Sequence, residues 1–146
     1  MEKARKVRIK MKIAVIDGQG GGVGKIIVER LVKEFGKQIH IMVLGTNSIA
    51  TSLILKAGAN EGATGANSIV YNASKVDVIL GPIGIISANS LLGELTPEMA
   101  RAISESSALK ILIPINRCNI KVAGVENKAI QQYVEDAIEL VRGQLS

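Results

Sequence analysis

The stretch from Lys12 to Leu31, KIAVIDGQGGGVGKIIVERL, carries the residues best suited to chemistry. Five glycines occupy the seven positions from Gly18 to Gly24, after an apolar run of strand length and before an amphipathic helix pattern. Glycines at a strand-to-helix turn let the backbone approach a pyrophosphate, whose charge is then met by helix N-terminal amides. Gly18, Gln19, Gly20, Gly21, Gly22, Val23 and Gly24 fit G-x-x-x-G-x-G and also G-x-G-x-x-x-G, both spacings of dinucleotide-binding turns. Such a site also wants Asp or Glu at the end of the second strand, to hold ribose hydroxyls. That place reads Leu44-Gly45-Thr46-Asn47, with no acid and no Arg for a 2′-phosphate. Thr46 and Asn47 are the hydrogen-bonding groups available there instead.

Lys25 introduces a second reading. Gly20 to Lys25 resembles the KGGVGK loop of partitioning-type ATPases, but Gln19 stands where that loop needs Gly. Ile26 stands where it needs the Ser or Thr whose hydroxyl ligates magnesium, so the P-loop is degenerate. The third reading is packing of a helix close on a sheet. Five glycines exceed that need, since each costs about 0.5–1 kcal/mol relative to Ala.

Other candidates stand where further strands end. Asp17 closes the first strand, placed to bind a ribose hydroxyl, orient a ligand or cap the glycine turn. Gly81, Pro82, Ile83 and Gly84 follow the fourth strand, and a helical Ile85–Leu92 would start facing the cleft. Asn89 and Pro82 would then lie near a nicotinamide ring. Glu94 is an acid/base candidate whose ordinary role would be a surface residue ahead of the Thr96 helix. Asn116 and Arg117 follow the fifth strand, where the Arg fork suits a carboxylate or phosphate. Cys118 beside them reads as an inert thiol. Tyr71 and Lys75 form Y-x-x-x-K, but under fifty residues past the glycine turn they read as a coincidence. His40 reads as a structural strand histidine, and no set of side chains at metal-ligand spacing exists.

These residues need elements to hold them. Strands are predicted at Ile13–Asp17, Ile39–Leu44, Val76–Leu80 and Lys110–Ile115, with shorter ones at Ser68–Tyr71 and Ile120–Val125. Helices are predicted at Val23–Phe35, at Ser48–Ala57 with Ile49, Leu53 and Ala57 on one face, and from Thr96-Pro97 to Ser106. A last helix, Asn127–Val141, carries Ile130, Val134, Ile138 and Val141 on one side. Ala57–Asn67 reads equally as a mobile loop closing on a ligand or as a long turn. Alternating strands and helices imply a single-domain, doubly wound α/β fold of Rossmann-like type, with a mainly parallel sheet in order 3-2-1-4-5. The ligand site then lies beyond the carboxyl ends of the strands, where the order reverses.

Composition agrees. The 146 residues are 47% hydrophobic with two Tyr, one Phe and no Trp, so the core is aliphatic. The net charge of +5 is concentrated in residues 1–10, with five Lys or Arg against one Glu; the rest carries 13 basic and 12 acidic residues. The basic arm therefore reads as a frayed terminus ahead of Met11, itself a natural-looking start. Without an aromatic stacking platform, nucleic-acid binding is not expected. A single Cys, no apolar run of membrane-spanning length and no signal-like segment point to a cytoplasmic protein.

KIAVIDGQGGGVGK, LGTNSIAT, AGANEGATGAN, VDVILGPIGI, ANSLLGE and PINRC together resemble a small family of bacterial proteins, mostly from anaerobes, classed as a domain of unknown function. The resemblance runs from Met11 to the last helix and implies a compact Rossmann-like domain without naming a substrate. Similarity to short-chain dehydrogenases is confined to the glycine turn. The expected function is binding of a nucleotide or dinucleotide, NAD or NADP among them, as a phosphate-bearing small molecule. A full dehydrogenase would need a second subunit to close the site, since the chain has no substrate domain, whereas a sensing module would form a homodimer. The alternative is a non-enzymatic, metabolite-sensing module, and the third is a degenerate ATPase.

Overall fold

The computed structural model describes residues 10–115 and 118–145. The basic arm up to residue 9, and Asn116 and Arg117, lie outside the described residues. Five parallel strands form one sheet in the order β3-β2-β1-β4-β5. They are β1 (Met11–Asp17), β2 (Ile39–Gly45), β3 (Glu61–Thr64), β4 (Val78–Pro82) and β5 (Leu109–Ile113). The helices are α1 (Gly22–Phe35), α2 (Ser48–Lys56), α3 (Ala66–Asn72), α4 (Pro97–Glu105) and α5 (Ile130–Leu145). This is the doubly wound fold expected from the sequence, with the expected strand order.

The strands alternate faces, and each face buries a separate core. Ile13, Val15, Ile41, Val43, Val78 and Leu80 pack with Ile27 and Leu31 of α1, Ile54 of α2, and Val134 and Ile138 of α5. Ala14, Ile16, Leu44 and Ile79 pack on the other face with Ile69 of α3 and with Met99 and Ile103 of α4. Helices on both faces leave the inner strands no polar side, hence their continuous apolar runs. The β1–β2 register runs from Met11↔Ile39 to Asp17↔Gly45, so Asp17 and Gly45 end side by side. The chain moves outward from β1 through β2 to β3, then returns to β4 on the other flank of β1. The order therefore reverses at the mouth between β1 and β4.

Several expectations are corrected. Ser68–Tyr71 lies within helix α3, and the third strand is Glu61–Thr64, inside the Ala57–Asn67 segment. As an edge strand with exposed Glu61, Gly62 and Thr64, β3 needs no apolar run, which is why none announces it. Residues 120–125 form no strand, and the last helix starts at Ile130. Ile85–Leu92 is not a helix: a 3-10 turn at Ile83–Ile86 gives way to irregular turns. In α2 the buried residues are Ala50, Thr51 and Ile54, whereas Ile49 is 74% exposed.

Thr96 caps α4 as expected, its Oγ1 accepting from the Met99 amide at 3.1 Å, with Pro97 in the first position. Arg30 of α1 and Arg142 of α5 both reach Glu34, and Arg30 also pairs with Glu135, joining the two helices across their exposed edges. No helix among the described residues is long and apolar enough to cross a membrane.

Candidate functional site

Asp17 organises the glycine turn. Its side chain is buried, with Oδ1 accepting from the Gly18 amide at 2.7 Å and Oδ2 from the Gly24 amide at 2.8 Å. It therefore caps the start of α1, one of the three roles the sequence left open, and its negative charge suits a helix N-terminus. Gly21 sits at φ 75° and donates to the Gly18 carbonyl at 2.9 Å, closing the turn. Among the described residues the amides of Gly20, Gly22 and Val23 have no acceptor.

The five glycines have different reasons to be glycine. A Cβ on Gly18 would stand 2.3 Å from Thr46 Oγ1 and 2.8 Å from Glu94 Oε1. One on Gly24 would stand 2.5 Å from Ile54 Cδ1 and 3.2 Å from Asp17 Cβ, and Gly21 has a left-handed backbone. Packing and turn geometry thus account for these three. Gly20 and Gly22 differ: a Cβ there would meet nothing within 4 Å. Neither has a positive φ.

Gly20 and Gly22 line a cavity of about 330 Å³ at the point where the strand order reverses. Asp17, Gly18, Gln19, Gly21 and Val23 complete the wall on the glycine side. Pro82 and Gly84 line it from the end of β4, Leu91 from the loop beyond, and Ile26 from α1. Ile115, Cys118 and Ile130 close the β5 side. The chemistry is that of a pocket with free backbone donors at one end and aliphatic walls elsewhere. Its size lies at the low end of the roughly 300–1,000 Å³ range of small-molecule sites.

Other candidate residues are placed elsewhere. Lys25 is exposed and does not line the cavity, while Ile26 does. A P-loop needs the reverse arrangement: the lysine over the phosphates and a hydroxyl at the position of Ile26. Gly81 is a packing residue whose Cβ would strike the Ile16 carbonyl oxygen at 2.3 Å, and Ile83 is buried outside the cavity wall. Asn89 is exposed in a left-handed conformation, its amide donating to the Leu95 carbonyl at 2.7 Å. Lys75 lies over the Tyr71 ring at 4.4 Å and lines a separate concavity with Lys12 and His40 near the amino ends of β1 and β2. The Y-x-x-x-K pair is thus remote from the glycine turn. His40 Nε2 pairs with Glu61 Oε2 at 2.5 Å, a cross-strand contact.

Thr46 and Asn47 are occupied in an unforeseen way. Asn47 Oδ1 caps α2 by accepting from the Ala50 amide at 2.8 Å, while Nδ2 donates to the Gln19 carbonyl at 3.0 Å. Both residues also hold Glu94. Its Oε1 accepts from Thr46 Oγ1 at 2.6 Å, from the Gln19 amide at 2.7 Å and from Asn47 Nδ2 at 3.1 Å. Glu94 thereby fastens the loop after β4 to the glycine turn and to the end of β2. Asn89, Leu91 and Leu92 in that loop all have positive φ, a conformation costing roughly 1–2 kcal/mol for an ordinary L-residue. No local pattern links Glu94 to Thr46; only the capping signal at Thr96 fixes roughly where its loop must end.

Burial pushes the Glu94 carboxyl upward, but the bonds from Thr46, the Gln19 amide and Asn47 outweigh it and hold the group below its ordinary value of 4.5. With the folded value the lower one, Glu94 stabilises the fold fully above the unfolded value and loses that contribution as pH falls through the folded value. Glu94→Gln is therefore expected to be less stable than wild type near neutral pH, and the difference should shrink in acid. Urea titrations of both proteins at the two pH values check the sign; a gap that widens in acid would contradict it.

Among the described residues no group of three or more His, Cys, Asp or Glu is arranged to hold a metal ion. No curated protein matches the chain. A family model does: it covers residues 12–146, nearly the whole chain. By that match the chain belongs to the family described as domain of unknown function DUF3842.

Proposed function

We propose that this protein binds a phosphate-bearing small molecule of the nucleotide class, with NAD and NADP among the candidates, in the cavity between the glycine turn and the end of β4. One observation carries the reading. Gly20 and Gly22 line the cavity, yet neither a positive φ nor a packing contact requires them to be glycine. Close approach of a ligand to the backbone is the reason that remains, and the amides of Gly20, Gly22 and Val23 are the donors it would meet. The aliphatic residues opposite, Leu91, Ile115 and Ile130, suit the uncharged part of such a molecule.

A second reading, a metabolite-sensing module assembled from identical chains, is supported by Asp17. Both its oxygens hold backbone amides of the turn, so the one carboxylate lining the cavity among the described residues is engaged structurally. Binding, on this view, is the whole function. Thermal-shift assays with NAD, NADP, ATP, AMP and coenzyme A test the shared claim. A ligand at 100 times its Kd should add about 2.7 kcal/mol of stability. No shift with any of the five would overturn the nucleotide reading, and a shift with ATP alone that needs magnesium would return the turn to the ATPase class. Binding of a nicotinamide nucleotide without turnover would favour the sensing module.

A further inference from the structure

We propose that Glu94 supplies the carboxylate that receives the ribose hydroxyls of the bound nucleotide, making the site selective for ligands with a free 2′,3′-diol. The proposal rests on the nucleotide reading above. A dinucleotide fold places Asp or Glu at the end of the second strand for this purpose. In this chain the end of β2 reads Gly45-Thr46-Asn47 and has no acid. The fold nevertheless delivers one there. Glu94 comes from the loop after β4, 48 residues from Thr46 in sequence, and its Oε1 lies 2.6 Å from Thr46 Oγ1. The same oxygen is 2.7 Å from the Gln19 amide, inside the glycine turn itself. A carboxylate thus stands between the glycine turn and the end of β2, beside the cavity rather than on its wall and bonded to Gln19, which lines it.

Its chemistry fits hydroxyl recognition. All three donors converge on Oε1, while Oε2 accepts no hydrogen bond among the described residues. An ionised carboxylate accepts and does not donate, so Oε2 suits a hydroxyl hydrogen. The groups holding Glu94 are an amide, a hydroxyl and a carboxamide, so no cation among them neutralises its charge. A 2′-phosphate brought to the same place would meet that charge directly, and like charges in close contact discriminate strongly.

The test compares nucleotides on the wild-type protein by calorimetry: NAD against NADP, and ADP against 2′-deoxy-ADP. NADP and 2′-deoxy-ADP should each bind at least about tenfold more weakly than their partners, because a site built for a hydroxyl rejects ligands that lack or block it. In Glu94→Gln the gap between NAD and NADP should narrow. The wild-type comparison decides the matter even if that variant folds poorly. Equal affinity within both pairs would overturn the proposal, leaving Glu94 as a strap for its loop and the nucleotide reading intact. Failure of all four nucleotides to bind would remove the nucleotide reading and this proposal together.

Discussion

Gly22→Leu should lose nucleotide binding by about 100-fold or more while remaining at least as stable as wild type. Gly22 is exposed, is the first residue of α1 and has an ordinary backbone. A Cβ there meets nothing within 4 Å, so a side chain can start from this exposed position without displacing a neighbour. Replacing a helical glycine whose backbone is already regular restricts the unfolded chain and favours folding by about 0.4–1 kcal/mol. The same side chain would occupy the mouth of the cavity and keep a phosphate from the Gly20, Gly22 and Val23 amides. Each lost hydrogen bond to a charged group costs about 1.5–3 kcal/mol, so a 100-fold loss needs only one or two. Calorimetric titration together with urea unfolding reads both quantities on one sample. Unchanged affinity would refute the phosphate cradle, and loss of folding would show that Gly22 belongs to the packing of α1.

The second large effect is of the opposite kind. Gly81→Ala should destabilise the fold by about 2–3 kcal/mol, the upper part of the range for overpacking, since backbone has to move. Gly81 is buried in β4 and pairs with Leu112 of β5. Its Cβ would stand 2.3 Å from the Ile16 carbonyl oxygen and 3.0 Å from Ile85 Cδ1. Ile85 can turn aside, but Ile16 lies in the central strand, fixed by β2 on one side and β4 on the other. Equilibrium urea unfolding measures the loss; a change within about 0.5 kcal/mol would mean that the two strands separate more easily than their pairing implies. Gly22 and Gly81 were grouped by the sequence as lining of one ligand cleft. In the fold one faces the cleft and the other holds two strands together.

The inner strands were legible because burial on both faces leaves little choice of side chain: IAVID, IHIMVL and VDVIL are almost wholly apolar. β3 was missed for the complementary reason. With EGAT exposed at the sheet edge, what defines it is backbone pairing to Met42–Gly45, which leaves no mark on side-chain type. The phase of α2 was misjudged because Ile49, Leu53, Ile54 and Leu55 surround the helix with apolar groups, so four-residue spacing selects no face. What selects Thr51 is the sheet beneath it. A Cβ on Gly45 would strike Thr51 Oγ1 at 2.1 Å, and one on Gly62 would approach Thr51 Cγ2 at 3.2 Å.

By itself the sequence determined the fold class, the strand order and a glycine turn at the point where that order reverses. The fold class and the turn follow from local constraints, an apolar period and a turn that needs glycine, and the order is the common one of the doubly wound class. Only the tertiary structure decided how the turn is used. It assigned Asp17 to the turn's own amides, separated Gly20 and Gly22 from the glycines needed for packing, and carried Glu94 across to Thr46 and Asn47. Each of these depends on what folding brings near a residue or leaves away from it, and the last joins side chains 48 positions apart. Periodicity records which face a residue turns to the core; it holds no record of what that residue meets there.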